Sequence, residues 1–197
     1  MSLALTTDST STTLVPLADI RELLGFDATW KTNTLTDILN GARSWAEKFT
    51  DRSFIQSTWT MKLDKFPSLN SDQAIHLPKG KFVSLTSLKY VATSGTLTTL
   101  TENTDFTVHS AGDIARLTPT DSSGFTTSWP NIGNKKEAVQ VVWIAGYGTA
   151  ATDVPGPLIT GVKLAIQDMY CNEKPGAAAE AMLKPYQIIF EWQSFNR

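Results

Sequence analysis

The chain has a single cysteine, Cys171, which excludes an internal disulfide and fits a reducing compartment. It has only two histidines, His76 and His109, and neither has another histidine four residues on or a cysteine close by. Zinc-type ligand spacing is therefore absent, and both histidines read as sheet-face or loop residues. Charge is sparse. Asp, Glu, Lys and Arg make up 18% of the residues and the formal net charge is -2, so no broad basic face for gripping phosphates is available. No apolar run approaches the roughly 18 to 20 residues that span a bilayer. The opening Met1-Ser2-Leu3-Ala4-Leu5 has neither the charged start nor the apolar length of a signal peptide. Also missing are the phosphate-loop pattern G-x-x-x-x-G-K-S/T, the metalloprotease pattern H-E-x-x-H and the nucleophile elbow G-x-S-x-G. Gly146-Tyr147-Gly148 lacks a third glycine and an immediate helix, and reads as a turn leaving a strand. Cys171 follows the apolar face ending at Met169-Tyr170, with no base in the pattern, and reads as a buried, inert thiol.

What is present is a change of hydrophobic period. Residues 1–14 are Ser, Thr and small apolar residues without a period, and are expected to form a flexible N-terminal arm. A short helix with Leu17, Ile20, Leu23 and Leu24 on one face stops at Gly25. In the next helix Leu35, Ile38, Leu39, Ala42, Ala46 and Phe49 recur at helical spacing, with Thr34 as its expected cap. After Arg52 the period becomes 2: Ile55, Trp59, Met61 and Leu63 alternate with polar residues. Further strands are expected at 74–77, 85–93, 97–100, 106–109, 114–117 and 139–145, as an antiparallel meander broken by Pro78, Gly80, Gly95, Gly112 and Pro119. Helical spacing returns after Pro157 through Leu158, Ile159, Val162, Ala165, Ile166 and Met169, and a short helix follows at 177–183.

Two one-sided helical stretches cannot bury their stripes separately, so they pack on each other. The expected class is α+β, with a small α-helical body of residues 15–52 and 153–185 and an inserted antiparallel β region at 53–148. Residues 186–197 form a terminal tail rich in aromatics. At period 2, Tyr186, Ile188, Phe190 and Trp192 share one face; at period 3.6, Ile188, Ile189, Trp192 and Phe195 line up. Either reading makes this segment a partner-docking candidate, as an added strand or as a helix in a groove. Of the six tryptophans, Trp45 and Trp59 lie on or near core-facing stripes and Trp143 sits mid-strand, all three expected to be structural, whereas Trp129 and Trp192 are the expected exposed anchors.

In order and spacing the landmarks resemble the head–tail connector, or head-completion adaptor, family of tailed bacteriophages and phage-derived particles. The similar pieces are Leu35-x-x-Ile38-Leu39-x-x-Ala42-Arg43 closing at Phe49-Thr50-Asp51-Arg52, then Phe66-Pro67 and Ile75-His76-Leu77-Pro78. Leu85-x-x-Leu88-x-Tyr90, Phe106-Thr107-Val108, Trp129-Pro130 and Val141-x-x-x-Ala145-Gly146-Tyr147-Gly148 follow. Val154-Pro155, the helix through Tyr170 and Leu183-x-Pro185-Tyr186 complete the series, which spans about residues 15 to 186. Asn172-Glu173 departs from the Asn-Arg of the family pattern, and the tail is longer and more apolar.

The resemblance implies a structural virion protein without catalytic, cofactor-binding or metal-binding residues. It implies a closed ring of about a dozen copies in the virion neck, joined head to tail. The implied partners are the portal protein above, a head-completion (stopper) or tail protein below, and DNA passing through the channel without sequence-specific binding. No membrane is involved, and assembly takes place in the bacterial host cytoplasm. On this reading Tyr186, Ile188, Phe190, Trp192 and Phe195 form a portal-docking tail. A mildly acidic chain suits DNA passage better than a basic one. The competing reading is a β-rich carbohydrate- or protein-binding module built on Trp129; an enzyme using His109 has no local pattern in support.

Overall fold

The computed structural model describes residues 2–7, 13–27, 31–67, 73–172 and 174–188. The chain forms two compact units. One comprises Gln56–Gly146 together with the N-terminal strand; the other comprises the described residues of Ser9–Ile55 and Tyr147–Ile189. Among the described residues, four α-helices and two antiparallel sheets make the class α+β, as expected.

In the helical unit, α1 (Leu17–Leu24) ends at Gly25, whose left-handed φ of 72° needs no Cβ and lets its amide reach the Glu22 carbonyl at 3.2 Å. Helix α2 (Thr32–Thr50) begins two residues before Thr34, so Thr34 is not its cap. Thr32 instead receives the Arg21 guanidinium on its hydroxyl (2.7 Å) and the Thr36 hydroxyl on its carbonyl (2.9 Å). Helix α3 (Gly156–Asn172) and α4 (Ala177–Leu183) complete the unit. Leu35, Leu39, Ala42 and Ala46 of α2 share one buried core with Leu158, Val162, Ala165 and Ile166 of α3, together with Ile20 of α1. The two stripes thus bury each other, as their period requires.

Phe54 and Ile55, which the change of period places in the β region, are fully buried in this helical core. Alternation of side chains records a strand-like backbone but not the layer into which it packs. Cys171 is exposed, correcting the expectation of a buried thiol. It lies five residues, about 140° of helical rotation, beyond the buried Ile166, and so faces away from the core. Lys163 Nζ and Asp19 Oδ2 pair at 2.9 Å between α3 and α1.

The β unit contains two sheets. The larger runs in the order β1 (Ser2–Thr7), β2 (Ser57–Leu63), β8 (Val139–Ala145), β4 (Phe82–Val91), β5 (Leu97–Leu100). The smaller runs β3 (Ile75–Leu77), β7 (Ala115–Pro119), β6 (Phe106–His109). All pairings between these strands are antiparallel, but the order is not a meander, since the last strand in sequence lies between β2 and β4. Its composition explains the central place. Val139, Val141, Trp143 and Ala145 are all buried on one face, and the alternate residues are half-buried on the other. Inward residues of both sheets, including Met61, Leu88, Phe106, Leu117 and Trp143, form one core, so the sheets pack face to face.

Residues 2–7, expected within a flexible arm, are the edge strand β1. Their hold is backbone pairing with β2, in register Ser2↔Lys62 to Leu5↔Trp59, which no local pattern announces. Just before β8, the Glu137 carboxylate accepts from Lys62 Nζ (3.0 Å) and Ser2 Oγ (2.9 Å). The Lys62 hydrogen bond, then that of Ser2, holds its pKa below the ordinary 4.5.

Two consequences can be measured. A Cβ on Gly161 would lie 2.6 Å from Leu183 Cδ2 and 2.8 Å from its Cγ, so this fully buried side chain would have to shift. Gly161→Ala is therefore expected to destabilise the helical unit by about 1–3 kcal/mol. A Cβ on Gly41 would meet only Met169 Sδ, at 3.9 Å, so Gly41→Ala should stabilise by up to about 1 kcal/mol through helix propensity. Urea unfolding of both variants checks the opposite signs. For Glu137, whose folded pKa is lowered, the stabilisation is fully present above 4.5 and is lost as pH falls through the lowered value. The stability gap between the natural chain and Glu137→Gln should close as pH falls from above 4.5 through the lowered value, and a gap that stays constant would count against this role.

Candidate functional site

The stem of the C-terminal segment is held against the end of α2. Helix α2 ends at Asp51, in left-handed backbone with φ 53°, and the following Arg52 is 5% exposed. From there Arg52 Nε donates to the Tyr186 carbonyl at 2.6 Å, while the Ile188 amide donates to the Thr50 carbonyl at 2.9 Å. Lys184–Tyr186 form a single 3₁₀ turn, closed by the Gln187 amide on the Lys184 carbonyl. The Tyr186 side chain packs, half-buried, against the helical core.

A second polar pair braces this corner. Arg43, 8% exposed, donates through Nε to Glu47 Oε1 at 3.3 Å, and the same oxygen receives the Phe54 amide at 2.9 Å. A buried guanidinium is tolerable only with such partners. The Thr50 hydroxyl returns to the Ala46 carbonyl at 2.8 Å. The result is a fixed corner of hydrogen bonds at which the last turn of α2 grips the C-terminal stem. Its chemistry is that of an anchor; it brings no nucleophile and base together.

Of the five tail residues, Tyr186 and Ile188 are therefore tied to their own helical unit. Phe190, Trp192 and Phe195 lie outside the described residues. Arg43, Glu47 and Arg52 were not assigned a role from sequence. The available signal was a charged Arg43–Glu47 pair at i,i+4 spacing directly beside the apolar stripe of α2.

Trp129 is not an exposed anchor. It is 9% exposed, stacks on Phe66 with ring centroids 4.7 Å apart at 4°, and donates its indole N–H to the Gln73 carbonyl at 2.7 Å. The polar surroundings that suggested exposure in sequence instead supply its hydrogen-bond acceptor. His109 is exposed at the end of β6 and pairs with the Thr118 hydroxyl at 2.9 Å. Tyr147 and Gly148 form the turn out of β8, where the Tyr147 amide bonds the Phe54 carbonyl at 3.1 Å. Among the described residues no three His, Cys, Asp or Glu side chains cluster so as to hold a metal, and no helix is long and apolar enough to cross a membrane.

No protein-family model matches the chain, and no curated protein matches it in sequence. Solved structures do match in fold. One chain of the neck of an empty GTA particle, computed with C6 symmetry, superposes with a TM-score of 0.75 at 18% identity, covering 99% of this chain and 100% of that one. A chain of the virion of a native gene transfer agent (GTA) particle gives 0.72 at 19% identity, with 98% of each chain covered. A chain of the neck of a native GTA particle, computed with C12 symmetry, gives 0.72 at 20% identity over 99% and 100%. At these identities the likeness is one of fold, and it extends through both units rather than one.

The corner yields a prediction. Arg52→Ala leaves the Tyr186 carbonyl without this donor, and should cost about 1–3 kcal/mol. Thermal melting would show the loss, and limited chymotryptic cleavage after Tyr186 should accelerate as the stem loosens.

Proposed function

We propose that this protein is a structural subunit of a particle neck, an adaptor ring between the portal and the tail through which DNA passes. The observation that carries the reading is the end-to-end likeness, in both directions, to neck and virion chains of gene transfer agent particles. A carbohydrate-binding module would lack its proposed anchor, because Trp129 is buried. A ring of about a dozen copies accords with a neck computed with twelvefold symmetry and with head-to-tail interfaces that close on rotation. The portal lies above it and a stopper or tail protein below, in a virion neck assembled in the bacterial host cytoplasm. The role requires no turnover. A net charge of -2 suits a channel that lets phosphates slide.

Docking to the portal is assigned to the tail beyond its fixed stem, through Phe190, Trp192 and Phe195. The anchor at Arg52 and Thr50 supports this, because it fixes the point from which the tail departs. Electron cryomicroscopy of purified particles should place this chain on the particle axis between portal and tail with cyclic symmetry. Its presence as an off-axis dimer would overturn the reading. A truncation removing residues 189–197, which spares the Ile188–Thr50 bond, should retain its melting temperature and fail to join the portal. Phe190→Ala and Trp192→Ala should each weaken portal binding by about 2 kcal/mol or more. Early melting or aggregation of the truncated chain would instead make the tail part of the body.

A further inference from the structure

We propose that β1 is an exchangeable strand, and that in the assembled ring each copy places its Ser2–Thr7 segment on the β2 edge of its neighbour. The proposal rests on the ring reading above and adds to it the element that links the copies. Three features of β1 carry it.

The first is the way β1 is held. Among its described side chains, Ser2, Ala4, Leu5 and Thr6 are exposed, and Leu3 is the one that packs against the sandwich core. The rest of its attachment is the backbone ladder to β2, the Ser2 Oγ–Glu137 Oε1 bond of 2.9 Å and the Thr6–Thr60 hydroxyl pair of 2.5 Å. A ladder of amides and carbonyls does not distinguish the chain that supplies the strand, so an identical strand from a second copy meets every one of these partners.

The second is the path of the chain. Strands β2 to β8 lie within the continuous segment Gln56–Gly146, whereas β1 is separated from them in sequence by α1 and α2 of the other unit. It is joined to α1 through residues 8–16, of which Leu14 and Val15 are buried in the helical core. The six residues 8–13 between them and β1 span up to roughly 20 Å when extended, which is the reach available toward a strand edge on an adjoining subunit. Exchange conserves the contacts, and the difference between the closed and exchanged forms is the entropy of the connection. A neighbour held at fixed distance in a ring supplies the strand at high effective concentration.

The third is the edge itself. Without β1, the outer side of β2 would present a row of unpaired amides and carbonyls, which proteins cover. A ring in which each copy gives one strand and receives one covers every such edge and closes without a free end.

Disulfide trapping tests this on assembled particles. Ala4 and Thr60 face each other in the β1–β2 register, at the Cα separation of about 4.5–5.5 Å usual for such pairs, which a disulfide can bridge. In a Cys171→Ser background, Ala4→Cys with Thr60→Cys is oxidised in purified particles and run on a non-reducing denaturing gel. Exchange gives a ladder of dimers and higher multiples that collapses to one band on reduction. A cross-link confined to single chains, with an axial ring still visible by electron microscopy, overturns exchange and leaves the ring intact. The absence of an axial ring in particles overturns the ring reading and exchange with it. Ser2→Cys with Lys62→Cys is the second pair should the first fail to fold, and no cross-link with either pair in an intact ring also overturns the proposal.

Discussion

The structure depends on bringing together the two ends of an insertion. The chain leaves the helical unit after Ile55 and returns at Tyr147, and those two points must be adjacent for α2 and α3 to bury each other's stripes. The Tyr147 amide on the Phe54 carbonyl and the parallel bridge between Ile55 and Gly148 hold them together. With Phe54 and Ile55 both fully buried, this junction is part of the helical core. That is why the β unit can carry its own core, filled by residues of two sheets, without drawing on the apolar stripes of the helices.

The same neighbourhood explains a concentration of buried polarity that the core would otherwise not tolerate. Glu47 satisfies Arg43 and the Phe54 amide at once, and Arg52 satisfies the Tyr186 carbonyl. Each group is costly alone in a low-dielectric setting and acceptable when paired. Together they fix the end of α2, the start of the insertion and the C-terminal stem in one place.

The two sheets manage their edges differently. In the five-stranded sheet, β8 has the most apolar alternation and takes the centre, while β1, with mostly exposed side chains, takes one edge and the four-residue β5 the other. Apolar strands need two neighbours and two covered faces; a strand of Ser, Thr, Ala and Leu does not.

Much of this was legible in sequence, because periodicity is a local property. The stripes of α2 and α3, the alternation of β8, the limits of β5, β6 and α4, and the α+β class with a helical body and a β insertion all follow from side-chain spacing. What spacing could not give was the partner of each surface. Thr34 has the chemistry of a cap, yet the helix starts at Thr32, where Arg21 from another helix is in reach. Trp129 sits in a polar stretch, yet Phe66 and the Gln73 carbonyl, far away in sequence, bury it. Ser2–Thr7 has no period that marks a strand, and only the edge of β2 makes it one. Local sequence determined which backbone each segment adopts and which face is apolar, because those depend on neighbours within a turn or two. Tertiary structure alone decided strand order, the buried corner around Arg52 and the places of Trp129 and Cys171, because these depend on groups brought together only after the chain has folded.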